Sequence, residues 1–164
     1  MIPTMRTLQP TKVLFICHGN ICRSPAAECI FAALAERAGV LAQFEIDSAG
    51  TSQDHEGSSP HRDTQIVLRE RGYKVFGQSR PIIKRDTAHF DCVVCMDQAN
   101  HRNAIAFGFL PERVSLLLSH DPSATDVEVG DPWGYPDTFA GMADVIEPAC
   151  AALLKKLLER RARA

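Results

Sequence analysis

The sequence has almost no excess charge of either sign. Its 18 basic and 20 acidic side chains leave a formal net charge of −2, so no bulk positive field exists to hold nucleic acid or an anionic membrane. Long apolar runs are missing too. The first apolar stretch, Val13 to Cys17, is far too short for a membrane span or a secretory leader, and Met1 to Pro10 is mixed and polar. There is no internal repeat, low-complexity tract or linker. None of the six histidines pairs with another at helical spacing, and Cys92 and Cys95 have no second ligand pair, so no metal site is expected. What is present is ordinary: 45% apolar and 23% charged residues over 164 positions, enough for a single domain spanning 1–164 around one core. Six cysteines are an even count, which can mark a disulfide framework. A chain of this size needs no staples, and without a leader its thiols are expected to stay reduced in the cytoplasm.

Val13 to Cys17 reads as a strand buried on both faces. The next helix is expected to have Ser24 as its N-cap and Pro25 at its first position, with Ala27, Ile30, Phe31, Leu34 and Ala38 on one face, and to end at Gly39. Phe44 to Ser48 alternates as a half-exposed edge strand does. Ser59-Pro60 to Gly72 predicts a helix with Ile66 and Val67 inward. Phe90 to Met96 reads as a third strand, Asp97 as the cap of a helix ending near Gly108, and Val114 to Leu118 as a fourth strand. A long loop, His120 to Tyr135, precedes a helix from Thr138 to Arg163 that Pro148 should kink or interrupt.

Strands alternating with helices predict an α/β fold, a three-layer, four-stranded parallel sheet of order 2-1-3-4 with helices on both faces, Rossmann- or flavodoxin-like. In that order the winding reverses between the first and third strands, and a ligand is expected beyond their carboxyl ends. Cys17 to Arg23 occupies that position.

This loop joins a buried strand to a helix N-terminus, where unpaired amides and the helix dipole favour anions. No proline lies between His18 and Arg23, and Gly19 and Asn20 tolerate the positive φ that lets successive amides converge. Arg23 adds a planar clamp for phosphate-like oxygens. The loop is suited to a tetrahedral oxyanion. Amides, dipole and arginine all favour a thiolate at Cys17, to whose sulfur Ser24 can donate a hydrogen bond. A thiolate beside bound phosphate points to phosphoryl transfer through a phosphocysteine.

Cys17, five residues, then Arg23-Ser24 resembles the phosphate-binding loop of cysteine-dependent phosphatases. The full run, Cys-His-Gly-Asn-Ile-Cys-Arg-Ser-Pro over 17–25, resembles the low-molecular-weight protein tyrosine phosphatase family. The likeness extends through Asp47-Ser48-Ala49-Gly50-Thr51, Phe90-Asp91 and Cys95-Met96-Asp97 to Asp131-Pro132-Trp133, covering about 11–158. It implies a cofactor-free protein-tyrosine-phosphatase, monomeric or weakly dimeric, acting on phosphotyrosine-bearing proteins or small phosphomonoesters. By the same resemblance Cys17 is the nucleophile and Asp131 the general acid, then base. His18, Gly19, Asn20, Ile21, Cys22 and Arg23 form the phosphate loop, which Asn20, Ser24 and Ser48 brace. Cys22 is expected to condense with oxidised Cys17 and so shield it from irreversible oxidation.

Two departures from the family pattern concern the surroundings of the loop. Gln53-Asp54-His55 stands where relatives place an aromatic residue, so the expected substrate rim is Asp54, His55 and Trp133; Gly77 replaces a histidine that supports the loop in many relatives. Three rivals follow. A phosphoarginine phosphatase tends to have threonine at the position of Ile21. An arsenate reductase needs resolving cysteines, yet Cys92 and Cys95, three apart on a strand, point to opposite faces. A non-catalytic phosphopeptide-binding module needs neither the thiolate nor the acid.

Overall fold

The computed structural model describes residues 7–164, so the first six residues of the polar N-terminal stretch lie outside it. Strand β1 (Thr11–Cys17) is the centre of the molecule, since its residues from Val13 onward are buried on both faces. It pairs in parallel with β2 (Phe44–Gly50) on one side and β3 (Cys92–Cys95) on the other; β4 (Val114–Leu116) completes the sheet beyond β3. The order β2-β1-β3-β4 is the expected one. Cys17 pairs with Gly50 and Ile16 with Cys95, so β2, β1 and β3 end side by side.

Alternation along β1 and β3 feeds two apolar layers. Val13, Phe15, Cys92 and Val94 pack with α1 (Arg23–Arg37), α2 (Arg62–Glu70) and α5 (Phe139–Arg163). Leu14, Ile16, Val93 and Cys95 face the other way, toward Phe90, Phe109 and Ala104 of α4 (Gln98–Phe107). A short helix, α3 (Asp86–His89), precedes β3 and had no clear sequence signal. Fully buried side chains such as Phe15, Phe31 and Ile146 each contribute about 1.5–3 kcal/mol. Cys92 and Cys95 lie in different layers, as their spacing predicts. Among the described residues no helix is long and apolar enough to cross a membrane.

Four local expectations are corrected. Ser24 is not the N-cap of α1: the helix begins at Arg23, Cys22 holds the cap position without a side-chain hydrogen bond, and Pro25 is the third helical residue. The Ser24 hydroxyl is engaged by the loop instead. Ile66 is 38% exposed, while Thr64 and Leu68 are the buried residues of α2. The four-residue step from 64 to 68 defines the inward stripe, and position 66 falls on the opposite side. Pro148 does not interrupt α5, which is continuous over 25 residues. It sits on the exposed face, where the carbonyl it leaves unbonded can meet water. The third and fourth strands are shorter than their apolar runs, and Leu117–His120 turns into a 3-10 segment whose two leucines are buried.

Candidate active site

Cys17 ends β1, and the chain turns at once into the loop leading to α1. The residues after β2 follow it closely. Thr51 N–H donates to the Cys17 carbonyl at 3.0 Å and Ser52 N–H to that of His18 at 2.9 Å. Gly50 is required in this pairing, because a Cβ there would meet the His18 carbonyl oxygen at 2.7 Å.

Asn20 has φ 56° and is the one non-glycine residue in the left-handed region among those described; Gly19 does not share it. Such a backbone costs roughly 1 kcal/mol or more unless held. Here the side chain holds it. Asn20 Nδ2 donates to Ser24 Oγ at 2.8 Å and Ser48 Oγ at 2.9 Å, while Oδ1 accepts from Arg80 N–H at 3.0 Å. Because Asn20 donates to Ser24 Oγ, the Ser24 proton is free to point at Cys17 Sγ, 3.0 Å away. Asn20, Ser24 and Ser48 are thus joined by hydrogen bonds behind the loop.

Ser48 in turn donates to Glu28 Oε2 at 2.8 Å. Glu28 is 5% exposed, and its carboxyl is pushed up to about 7, chiefly by burial and further by Asp47, against the opposing pull of the Ser48 hydrogen bond and Arg80. Gly77 lies over this group: a Cβ there would stand 3.5 Å from Glu28 Oε2.

Arg23 is 2% exposed. Its Nη1 donates to Asp97 Oδ2 at 2.7 Å and to the Val129 carbonyl at 3.0 Å, while Nη2 lies 3.6 Å from Asp131 Oδ2. Burial opposes the guanidinium charge, but Cys17, Asp97 and Asp131 outweigh it and hold the group above its usual value. Among the described residues Arg23 Nε is buried without a partner, a spare donor for a bound oxyanion. Asp97 also caps α4, accepting from Asn100 N–H at 2.8 Å, and is therefore fixed from behind.

Asp131 projects from the long loop, half exposed, with Oδ1 accepting from Trp133 N–H at 3.1 Å. A cleft of about 240 Å³ brings it together with Cys17, Cys22, Arg23 and the rim residues Asp54, His55 and Trp133; His18, Gly19 and Ile21 complete its lining. The expected site residues therefore converge, with Asn20, Ser24 and Ser48 standing behind the wall. Burial first, then the neighbouring Cys17, pushes the Cys22 thiol up to about 12. Burial also raises the thiols of Cys29, Cys92, Cys95 and Cys150. The sequence reading missed the second role of Asp97 and the buried carboxyl of Glu28 behind the loop. The Asp97 to Asn100 capping pattern was the only one of these with a local signal.

A sulfur at the end of the central strand, five residues ahead of a buried arginine and facing a carboxylate across one cleft, is the arrangement of the cysteine-dependent phosphatases. The family model described as low molecular weight phosphotyrosine protein phosphatase matches residues 12–163, and the chain belongs to that family. It is therefore of a kind that hydrolyses phosphoric monoesters. A relative from Synechocystis, bearing a low molecular weight protein-tyrosine-phosphatase name, is 42% identical over 150 residues, covering 89% of this chain and 96% of its own. The crystal structure of YfkJ from Bacillus subtilis superposes with a TM-score of 0.89 at 32% identity, covering 93% of this chain and 98% of that one. A Drosophila arginine phosphatase gives a TM-score of 0.83 at 28% identity, covering 90% and 98%.

Proposed function

We propose that this enzyme hydrolyses phosphotyrosine and small aryl phosphate monoesters in two steps, within a single domain and without a metal or cofactor. In the first, Cys17 Sγ attacks phosphorus in line; the P–S bond forms as the P–O bond breaks, and Asp131 gives its proton to the leaving oxygen. The loop amides and Arg23 hold the equatorial oxygens, whose charge such donors stabilise in the transition state. In the second, Asp131 takes a proton from water, the water oxygen attacks phosphorus, and the P–S bond breaks to return thiolate and inorganic phosphate. The observation that carries this reading is the convergence of Cys17, Arg23 and Asp131 on one cleft. Asp54, His55 and Trp133 form the rim that meets the leaving group.

Cys22 fits a redox guard: with a peroxide as oxidant, Cys17 becomes a sulfenic acid, and condensation with the Cys22 thiol releases water and leaves a reducible disulfide. The setting is cytoplasmic, where the remaining buried thiols stay reduced, and the working form is a monomer or weak dimer. A second reading, phosphoarginine hydrolysis, is favoured by one observation: Asp54 lines the cleft, where a carboxylate pairs with a guanidinium leaving group.

The test is hydrolysis of an aryl phosphate with a chelator present. Full activity is expected in chelator and none in Cys17→Ser; the opposite result in either arm overturns the corresponding assignment. Phosphotyrosine, phosphoserine and phosphoarginine peptides, with thiol-coupled arsenate reduction, separate the rivals. Turnover of arsenate without aryl phosphate hydrolysis overturns the phosphatase reading.

A further inference from the structure

His61 belongs to neither the phosphate loop nor the acid loop, yet it is bonded to the first and packed against the second. Its backbone N–H donates to the Ile21 carbonyl at 2.7 Å, which ties it to the phosphate loop. Its Nδ1 accepts from Asp63 N–H at 3.1 Å and so caps α2, fixing the ring's orientation. The ring stacks on Phe139, the first residue of α5, with centroids 4.8 Å apart and planes 24° from parallel. Its other aromatic neighbour is Trp133, met edge-on at 5.5 Å and 80°.

Trp133 is itself half exposed and holds Asp131 through its backbone N–H. Its ring also meets His55 at 5.1 Å. The segment 121–135 has no helix or strand of its own, so the orientation of its carboxylate depends on such side contacts. Phe139, only 2% exposed, gives His61 a rigid backing.

We propose that His61 is a positioning residue for the general acid: its ring, clamped between Phe139 and Trp133, holds the Asp131 segment at a fixed distance from the phosphate loop. The proposal rests on the phosphatase reading above and names how that site is kept in register. A proton donor displaced by about 1 Å can lose on the order of 10²-fold in rate, and the loss is felt most where the leaving oxygen most needs its proton. Strongly acidic phenols leave as phenolates without help. Weakly acidic phenols do not.

Two substitutions separate this role from helix capping. His61→Asn keeps a good N-cap for α2 and removes the ring; His61→Phe keeps a ring and removes the acceptor. The measurement is kcat/KM for a series of aryl phosphates graded by leaving-group acidity, with urea unfolding of each variant. His61→Asn is expected to lose about tenfold on esters of weakly acidic phenols and less than about twofold on those of strongly acidic ones, with stability close to that of the parent. His61→Phe is expected to keep the parent's leaving-group dependence while unfolding at a lower urea concentration than the parent, because the helix cap is lost. Equal leaving-group dependence in His61→Asn and the parent overturns the proposal, as does a steeper one in His61→Phe only. A parent enzyme inert to every aryl phosphate overturns the phosphatase reading and this role with it.

Discussion

Glu28→Gln is the most revealing single change outside the cleft. The carboxyl is 5% exposed, ordinarily ionises near 4.5, and is pushed up to about 7 in the fold by burial. A raised acid binds more protons folded than unfolded between those two values, so ionising it destabilises the fold as pH rises through that window. A shift of this size corresponds to about 3 kcal/mol at 1.36 kcal/mol per unit. Integrated from about pH 5 to about pH 8, the loss is about 2.5 kcal/mol. Glutamine carries no charge at any pH and keeps a carbonyl for the Ser48 hydroxyl. The stability of Glu28→Gln relative to the parent should therefore rise by about 2.5 kcal/mol between those pH values. Urea unfolding of both proteins at several pH values reads this directly, and any cost of the spare amide N–H appears as a constant offset. A difference that is flat with pH, or that shrinks as pH rises, refutes the reasoning.

His120 predicts the complementary acid limit. Burial, with Lys156 and Arg160, lowers its imidazole to about 4, while Ser115 and Lys156 bond its two ring nitrogens at 2.8 and 3.0 Å. Stability is complete above the unfolded value of 6.5 and falls as pH drops toward the folded value. With partial solvent screening the loss is about 1–2 kcal/mol, and His120→Gln should flatten thermal midpoints across that range. Asp97→Ala removes the closest partner of a buried guanidinium and a helix cap together, and should cost about 3–5 kcal/mol; urea unfolding checks it, with phosphate binding expected to weaken in parallel. Gly50→Ala forces a methyl against the His18 carbonyl at 2.7 Å. It should lower aryl phosphate turnover at least about tenfold, whereas Gly141→Ala, which meets nothing within 4 Å, serves as the silent control.

The central strand, the sheet order and the loop were legible because each rests on local pattern: an apolar run, an alternating run, a strand-to-helix turn without proline. What stayed hidden depends on contacts between distant positions. Ser24 looks like a cap in its own neighbourhood, but Asn20 and Cys17 claim its hydroxyl. Asp97 and Arg23 are 74 residues apart in the chain and 2.7 Å apart in space. Pro148 looked disruptive because only the structure shows which face of α5 it occupies. Glu28, on the first helix, has no sequence mark of its raised carboxyl, which follows from burial and the nearby Asp47 and prevails over the opposing Ser48 hydrogen bond.

The placement of Cys17 on a strand paired along both edges has a consequence for how the molecule comes apart. Amides in the middle of such a sheet exchange with solvent only when the whole fold opens, whereas irregular surface segments open early. The sulfur and its loop therefore share the last-opening part of the molecule, and Asp131 rides on a first-opening part. Under mild heat or denaturant, anion binding should outlast proton transfer, so the enzyme loses its chemistry before it loses its grip on phosphate.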